Sequence, residues 1–152
     1  MTFFSLMDWP VEAVIRSSLM DTVTNSGDLS PAEEICGALL GKKDKDIWKI
    51  TEVIFLTNIS HNKSMHYIPD PNEWIKVISD TTFLNEEADK DLIGIFHTHP
   101  NSKPIASTVD IEEAGYEGVY WIYSPKFKES KFYYYDGDED NRQFKQITYN
   151  RS

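Results

Sequence analysis

The chain reads as one α/β domain, a sandwich of helices on a mixed β-sheet. Three observations predict it. Stretches with apolar residues at helical spacing alternate with β-branched and aromatic runs of strand length. The run Leu92-Ile93-Gly94-Ile95-Phe96 has the unbroken apolar character of a buried strand. The 152 residues, 40% hydrophobic and 13% aromatic, are enough for one core. No linker, repeat or low-complexity segment divides them, so residues 1–152 form a single domain on this reading.

In chain order, Val11, Val14, Ile15, Leu19 and Val23 share one face of a helix over residues 11–24, which Asn25-Ser26-Gly27-Asp28 stops. Ser30-Pro31-Ala32-Glu33 has the form of a capping box with proline in the first helical position, which would make Glu34 a first-turn acid. Ile35 to Leu40 and Ile47 to Leu56 are strands joined by the charged turn at residues 41–46. The segment from Asn58 to Tyr67 is a polar loop. Asp70 caps a second helix with Pro71 and Glu73 in its first turn and Trp74, Val77, Ile78 and Thr81 inward; Glu86-Glu87-Ala88-Asp89 ends it. Ile93 to His97 is the central strand. A third helix runs from Thr108 to about Glu117, then Val119 to Tyr123 as a strand, and Lys131–Tyr135 with Phe144–Tyr149 as a terminal hairpin. The aromatics of these strands are packing residues.

The formal charge of −10 argues against a nucleic-acid partner, because basic patches supply most of that affinity. It suits a basic protein partner, or simple solubility. No run of eighteen apolar residues is present, so no membrane span is expected. Met1–Met7 lacks the charged and apolar regions of a secretory signal. The single cysteine, Cys36, permits no internal disulfide, fits a reducing cytoplasm and reads as a small buried residue. The sequons at Asn58 and Asn62 then carry no meaning. The acidic run at residues 136–140 lacks the spacing of a calcium loop and reads as a solvated turn. His61 and His66 read as exposed loop histidines, with a weaker possibility that their loop flanks a substrate groove.

The chemistry concentrates in His97-Thr98-His99-Pro100, Ser107 and Asp110. Two imidazoles and a carboxylate are ligand types of a catalytic zinc with an open fourth position. Residues two apart on an extended chain point the same way, so His97 and His99 can face one ion. Asn101-Ser102-Lys103-Pro104 supplies the turn that returns Asp110 to them. Ser107 with Asp110 also makes a helix N-cap, and the two roles are compatible, because a cap orients the aspartate.

Seven residues separate His99 from Ser107 and two more separate Ser107 from Asp110. With Glu34-Ile35-Cys36-Gly37-Ala38-Leu39-Leu40-Gly41 upstream and Asp70-Pro71-Asn72-Glu73 between, the chain resembles the JAMM (MPN+) metalloprotease domain over roughly residues 10–135. The resemblance implies a three-layer, cytidine-deaminase-like form of the sandwich. It implies Zn²⁺ on His97, His99 and Asp110, with Glu34 as general base and Ser107 as donor to the oxyanion. The substrate class it implies is the (iso)peptide bond after the C-terminal Gly-Gly of a ubiquitin-like or sulfur-carrier protein. The short connections suit a compact prokaryotic-type enzyme. Two alternatives stay open: a non-catalytic scaffold of the same fold, and a DNA-repair-associated branch, which the acidic balance disfavours. A nucleoside deaminase would need a Cys-x-x-Cys pair that one cysteine cannot supply.

Overall fold

The structure, a computed structural model, describes residues 9–83 and 90–152. The readings made at Met1–Met7 and at Glu86–Asp89 lie outside the described residues. The elements run β1 (Glu12–Ile15), α1 (Ser17–Asp28), β2 (Cys36–Asp44), β3 (Ile47–Leu56), α2 (Pro71–Phe83), β4 (Asp91–Thr98), α3 (Thr108–Glu112), β5 (Gly118–Ser124), β6 (Glu129–Tyr135) and β7 (Lys145–Arg151).

The sheet is mixed, as expected. The β1/β3, β1/β7 and β4/β5 pairs are parallel; β2 is antiparallel to β3 and β4, and β6 to β5 and β7. In space the strands lie in the order β1-β3-β2-β4-β5-β6-β7, and β7 returns to β1, so the sheet closes into a barrel. That closure departs from the expected open layers. Its seam pairs Glu12 with Thr148, and hydrophobic alternation carries no signal for so distant a partner.

Every strand contributes to one interior cluster, which includes Ile15, Leu39, Ile50, Phe96, Trp121 and Phe132; α1 adds Met20 and Val23 to it. On the opposite face Ala38, Leu40 and Leu92 pack with Val77 of α2. Ile95, Tyr120, Ile122 and Tyr135 pack there with Ala114. Helices thus cover both faces of the sheet, which is the sandwich character the sequence suggests. Burial on both faces explains why β4 and β5 show no polar alternation. Each fully buried side chain such as Ile15, Ile93 or Phe96 stabilises by about 1.5–3 kcal/mol.

Four local expectations are corrected. Residues 12–15 are a strand, not the first turn of a helix: Ala13 and Ile15, two apart, are fully buried between β3 and β7. Val11, Val14 and Ile15 fit helical spacing equally well, and only the remote strands decide. Asn25-Ser26-Gly27-Asp28 does not stop α1 but forms its last turn. Gly27 is there for close packing, since a Cβ on it would sit 3.0 Å from the Tyr123 ring. Residues 30–33 form a turn with no helix, so Glu34 is not a first-turn acid. Finally, α3 stops at Glu112 rather than near Glu117. The Arg142 guanidinium donates to the carbonyls of Glu112 at 2.6 Å and Ala114 at 2.9 Å, satisfying the helix end from outside.

Gly94 lets β4 pass close to β5. A Cβ there would lie 1.9 Å from the Val119 carbonyl oxygen, a clash with backbone that no rotamer relieves. Gly94→Ala is therefore expected to cost about 3 kcal/mol or more in a urea titration, the upper end for overpacking. Gly115→Ala is the comparison: its Cβ would meet nothing nearer than the Glu113 carbonyl at 4.0 Å, and its midpoint should barely move.

Candidate metal centre

The end of β4 builds the site. His97 pairs in register with Cys36 of β2 and Ile122 of β5, and the His99 amide donates to the Tyr123 carbonyl at 2.8 Å. Both imidazoles are buried, and their Nε2 atoms lie 3.2 Å apart. The chain then turns back beneath Tyr133, whose hydroxyl donates to the Pro104 carbonyl at 3.2 Å. At Ser107 it enters α3 through a reciprocal cap. Ser107 Oγ accepts from the Asp110 amide at 3.0 Å, and the Ser107 amide donates to Asp110 Oδ2 at 2.9 Å. The cap holds Asp110 Oδ2 3.0 Å from His99 Nε2 and Oδ1 3.3 Å from His97 Nε2.

These three side chains could hold a metal, their ligand atoms all lying within 4.8 Å of one another. Two observations test the fit. A tetrahedral zinc with bonds of about 2.0 Å needs ligand atoms about 3.3 Å apart. The two Nε2 atoms, 3.2 Å apart, match such an edge, and each imidazole has one Asp110 oxygen at a similar distance, Oδ2 3.0 Å from His99 and Oδ1 3.3 Å from His97. The second is the tautomer of His99. Its Nδ1 lies 2.9 Å from the Lys103 carbonyl, which can only accept, so Nδ1 carries the proton. In the neutral ring Nε2 then presents a lone pair to the Asp110 carboxylate. Two electron-rich atoms 3.0 Å apart need a positive charge between them, a proton or a cation. The titration behaviour agrees. Burial opposes charge on His99, but the Asp110 and Lys103 oxygens outweigh it and raise its pKa. Burial likewise opposes charge on Asp110, yet hydrogen bonds to His97 and His99 hold it well below the usual carboxylate range. On His97 burial dominates and favours the neutral ring.

Glu34 enters from the neighbouring edge. The Thr98 amide donates to the Ile35 carbonyl at 3.0 Å, and Thr98 Oγ1 accepts from the Ile35 amide at 2.9 Å. The residue after Glu34 is thereby stitched to the residue between the two histidines. Glu34 is 7% exposed, and burial raises its carboxyl pKa to about 7, with the charges of His99 and Asp110 also acting on it. A carboxyl with its pKa raised to near neutrality beside imidazoles is suited to carrying a proton.

The structure thus brings together all five candidate residues: His97, His99 and Asp110 at the cluster, Ser107 on its cap and Glu34 beside it. Cys36, which follows Ile35 and opens β2, takes no part. It is fully buried, its thiol donates to the Leu56 carbonyl at 3.6 Å, and burial pushes its pKa up to about 12. Two residues escaped the sequence reading. The Tyr67 ring stacks on His97 with centroids 4.4 Å apart and fixes the plane of the imidazole. Only its place just before the Asp70 cap hinted at it. His66, read as an exposed loop histidine, instead places Nε2 2.7 Å from Glu113 Oε1 and Nδ1 3.2 Å from Ser60 Oγ. His61 is exposed, as expected.

A family model described as prokaryotic homologs of the JAB domain matches residues 16–135, and the chain belongs to that family. This agrees with the JAMM-type resemblance read from the motifs. Over 111 residues the chain is 32% identical to the desampylase of Haloferax volcanii, covering 72% of this chain and 76% of that protein. It is 30% identical over 93 residues to the desampylase of Pyrococcus furiosus, covering 61% and 60% of the two. The solution structure of a Desulfitobacterium hafniense protein superposes with a TM-score of 0.72 over 92% of this chain and 94% of that one. At 22% identity that likeness speaks for the fold alone. Among the described residues, no helix is long and apolar enough to cross a membrane.

Proposed function

We propose that the chain is a zinc-dependent hydrolase of (iso)peptide bonds that follow the C-terminal Gly-Gly of a ubiquitin-like or sulfur-carrier protein. The observation that carries this reading is the convergence of His97 Nε2, His99 Nε2 and Asp110 beside a Glu34 that titrates near 7. Its membership of the JAB family and the name desampylase on two relatives supply the substrate class. His97, His99 and Asp110 would hold the zinc, a borderline ion suited to two imidazoles and a carboxylate. When bound, zinc acidifies water towards a pKa of about 7 and polarises a carbonyl.

The chain's own groups do the rest. Glu34 accepts a proton from the attacking water and delivers it to the leaving amine, worth about 10²–10⁴-fold. Ser107 Oγ already accepts the Asp110 amide, so its hydroxyl proton is available to the developing oxyanion. The Lys103 carbonyl keeps His99 in its ligating tautomer, and Tyr67 holds the His97 ring. A Gly-Gly tail would lie extended along a sheet edge; among the described residues the β1–β3 register ends at Ile15 and Ile50, while the β2–β3 register runs on to Cys36 and Leu56. On this reading residues 1–152 work as one domain in a reducing cytoplasm.

The test is to incubate the purified protein with ubiquitin-like conjugates, with and without a zinc chelator, and weigh the released modifier. The expected product ends in an intact Gly-Gly carboxylate and disappears on chelation. Cleavage that survived complete metal removal would overturn the mechanism.

A further inference from the structure

Asn58 lies outside every catalytic motif, yet its carboxamide uses its full bonding capacity around Glu34. Nδ2 donates to the Glu34 carbonyl at 2.9 Å and to the His66 carbonyl at 3.1 Å. Oδ1 accepts from the amides of Ser60 and Ile68, each at 3.0 Å. Backbone bonds close the same unit: the Glu34 amide donates to the Lys63 carbonyl at 2.6 Å, and the Ile59 amide to the Ile68 carbonyl at 2.8 Å. The outer end of the loop is pinned across the site, His66 Nε2 meeting Glu113 just beyond α3.

The run Ser60–His66–Glu113 has the outline of a nucleophile, base and acid. The surroundings give it another role. Ser60 is 2% exposed, and its Oγ accepts from the Asn62 amide at 3.0 Å, so the hydroxyl braces the loop and is closed to substrate. What the loop braces is Glu34. Thr98 on Ile35 and Asn58 on the Glu34 carbonyl hold the acid from its C-terminal side; Lys63, on the Glu34 amide, holds it from the other.

We propose that Asn58 is a positioning residue, whose carboxamide fixes the backbone from which Glu34 reaches the His97, His99 and Asp110 cluster. This rests on the reading of Glu34 as the proton carrier. Only an amide offers two donors on one side and a double acceptor on the other at this spacing. Aspartate is isosteric and keeps the acceptor half, but donates to neither carbonyl. A general base displaced by about 1 Å costs about 10²-fold in rate.

The experiment compares Asn58→Asp and Asn58→Ser with wild type as zinc-loaded enzymes. The substrate is a ubiquitin-like protein joined through its Gly-Gly tail to a reporter. The readouts are kcat, KM, zinc content and hydrogen exchange of the Glu34 amide. Both variants should lose about 10²-fold in kcat with KM little changed, since the lost interaction orients a base rather than binding substrate. Zinc should stay stoichiometric, and the Glu34 amide should exchange faster. Wild-type kcat in Asn58→Asp, a loss that appears in KM alone, or a loss tracking released zinc would overturn the proposal. Should wild type cleave no conjugate at all, the activity reading fails separately. Glu34 exchange still decides on Asn58, because unchanged protection in both variants would remove its positioning role.

Discussion

Glu34→Gln is expected to keep its zinc, lose about 10²–10⁴-fold in kcat and gain stability as the metal-free protein at pH 8. The two effects have one origin. Burial raises the Glu34 pKa from 4.5 to about 7, so the metal-free fold holds the neutral acid more tightly than the unfolded chain does. The stability this contributes is fully present below pH 4.5 and is lost as pH rises through about 7. Above that, the fold carries a desolvated charge at a cost of up to about 3 kcal/mol. Glutamine fills the same space and cannot ionise. In chelator, the variant's advantage in thermal midpoint should grow from pH 5 to pH 7 and then level off. A bound dication attracts the same carboxylate, so the advantage should shrink with zinc present. A variant with wild-type kcat would remove the role assigned to Glu34; one less stable than wild type at pH 8 would contradict the cost of burying its charge.

Asp110→Asn separates the metal from the cap. Asparagine keeps an oxygen to accept the Ser107 amide, so α3 should stay capped. It brings no negative charge, and two imidazoles with a neutral amide make a poor zinc site. Zinc content should fall to near zero, and activity by about 10³-fold or more, the worth of several kcal/mol of charge stabilisation. The thermal shift that zinc gives wild type should vanish, because an ion that no longer binds the fold cannot stabilise it. Ser107→Ala makes the complementary change. It removes the hydroxyl and one cap bond but no ligand, so zinc should remain while kcat falls about 10²–10³-fold. Stoichiometric zinc in Asp110→Asn would mean that the aspartate is a cap and nothing more.

The centre was more legible than the fold around it. His97 and His99 declare themselves by spacing, because alternation along a strand is local and Leu92–Phe96 leaves no doubt about the strand. Ser107 and Asp110 are equally local, and one cap geometry serves both readings. Glu34 was legible only through the block that follows it; its own surroundings suggested a helix start that does not exist. What holds these residues in place was hidden. Tyr67 on His97, Asn58 on Glu34 and Thr98 on Ile35 are contacts between segments remote in sequence. The same distance hid the true state of residues 12–15, where helix and strand spacing coincide and the remote β3 and β7 decide.

The seam between β1 and β7 also constrains how the molecule comes into being. During synthesis the first strand leaves the ribosome long before its last neighbour exists, and until residue 151 emerges its exposed side can pair with any passing strand. The ring is completed late, by joining distant parts of the chain, the kind of step that makes folding slow. Yet β4, the turn after it and α3, which carry His97, His99 and Asp110, are made well before that. A nascent chain could therefore gather its histidines and aspartate around an ion while the barrel is still open, and zinc captured then would help fasten the half-built sheet.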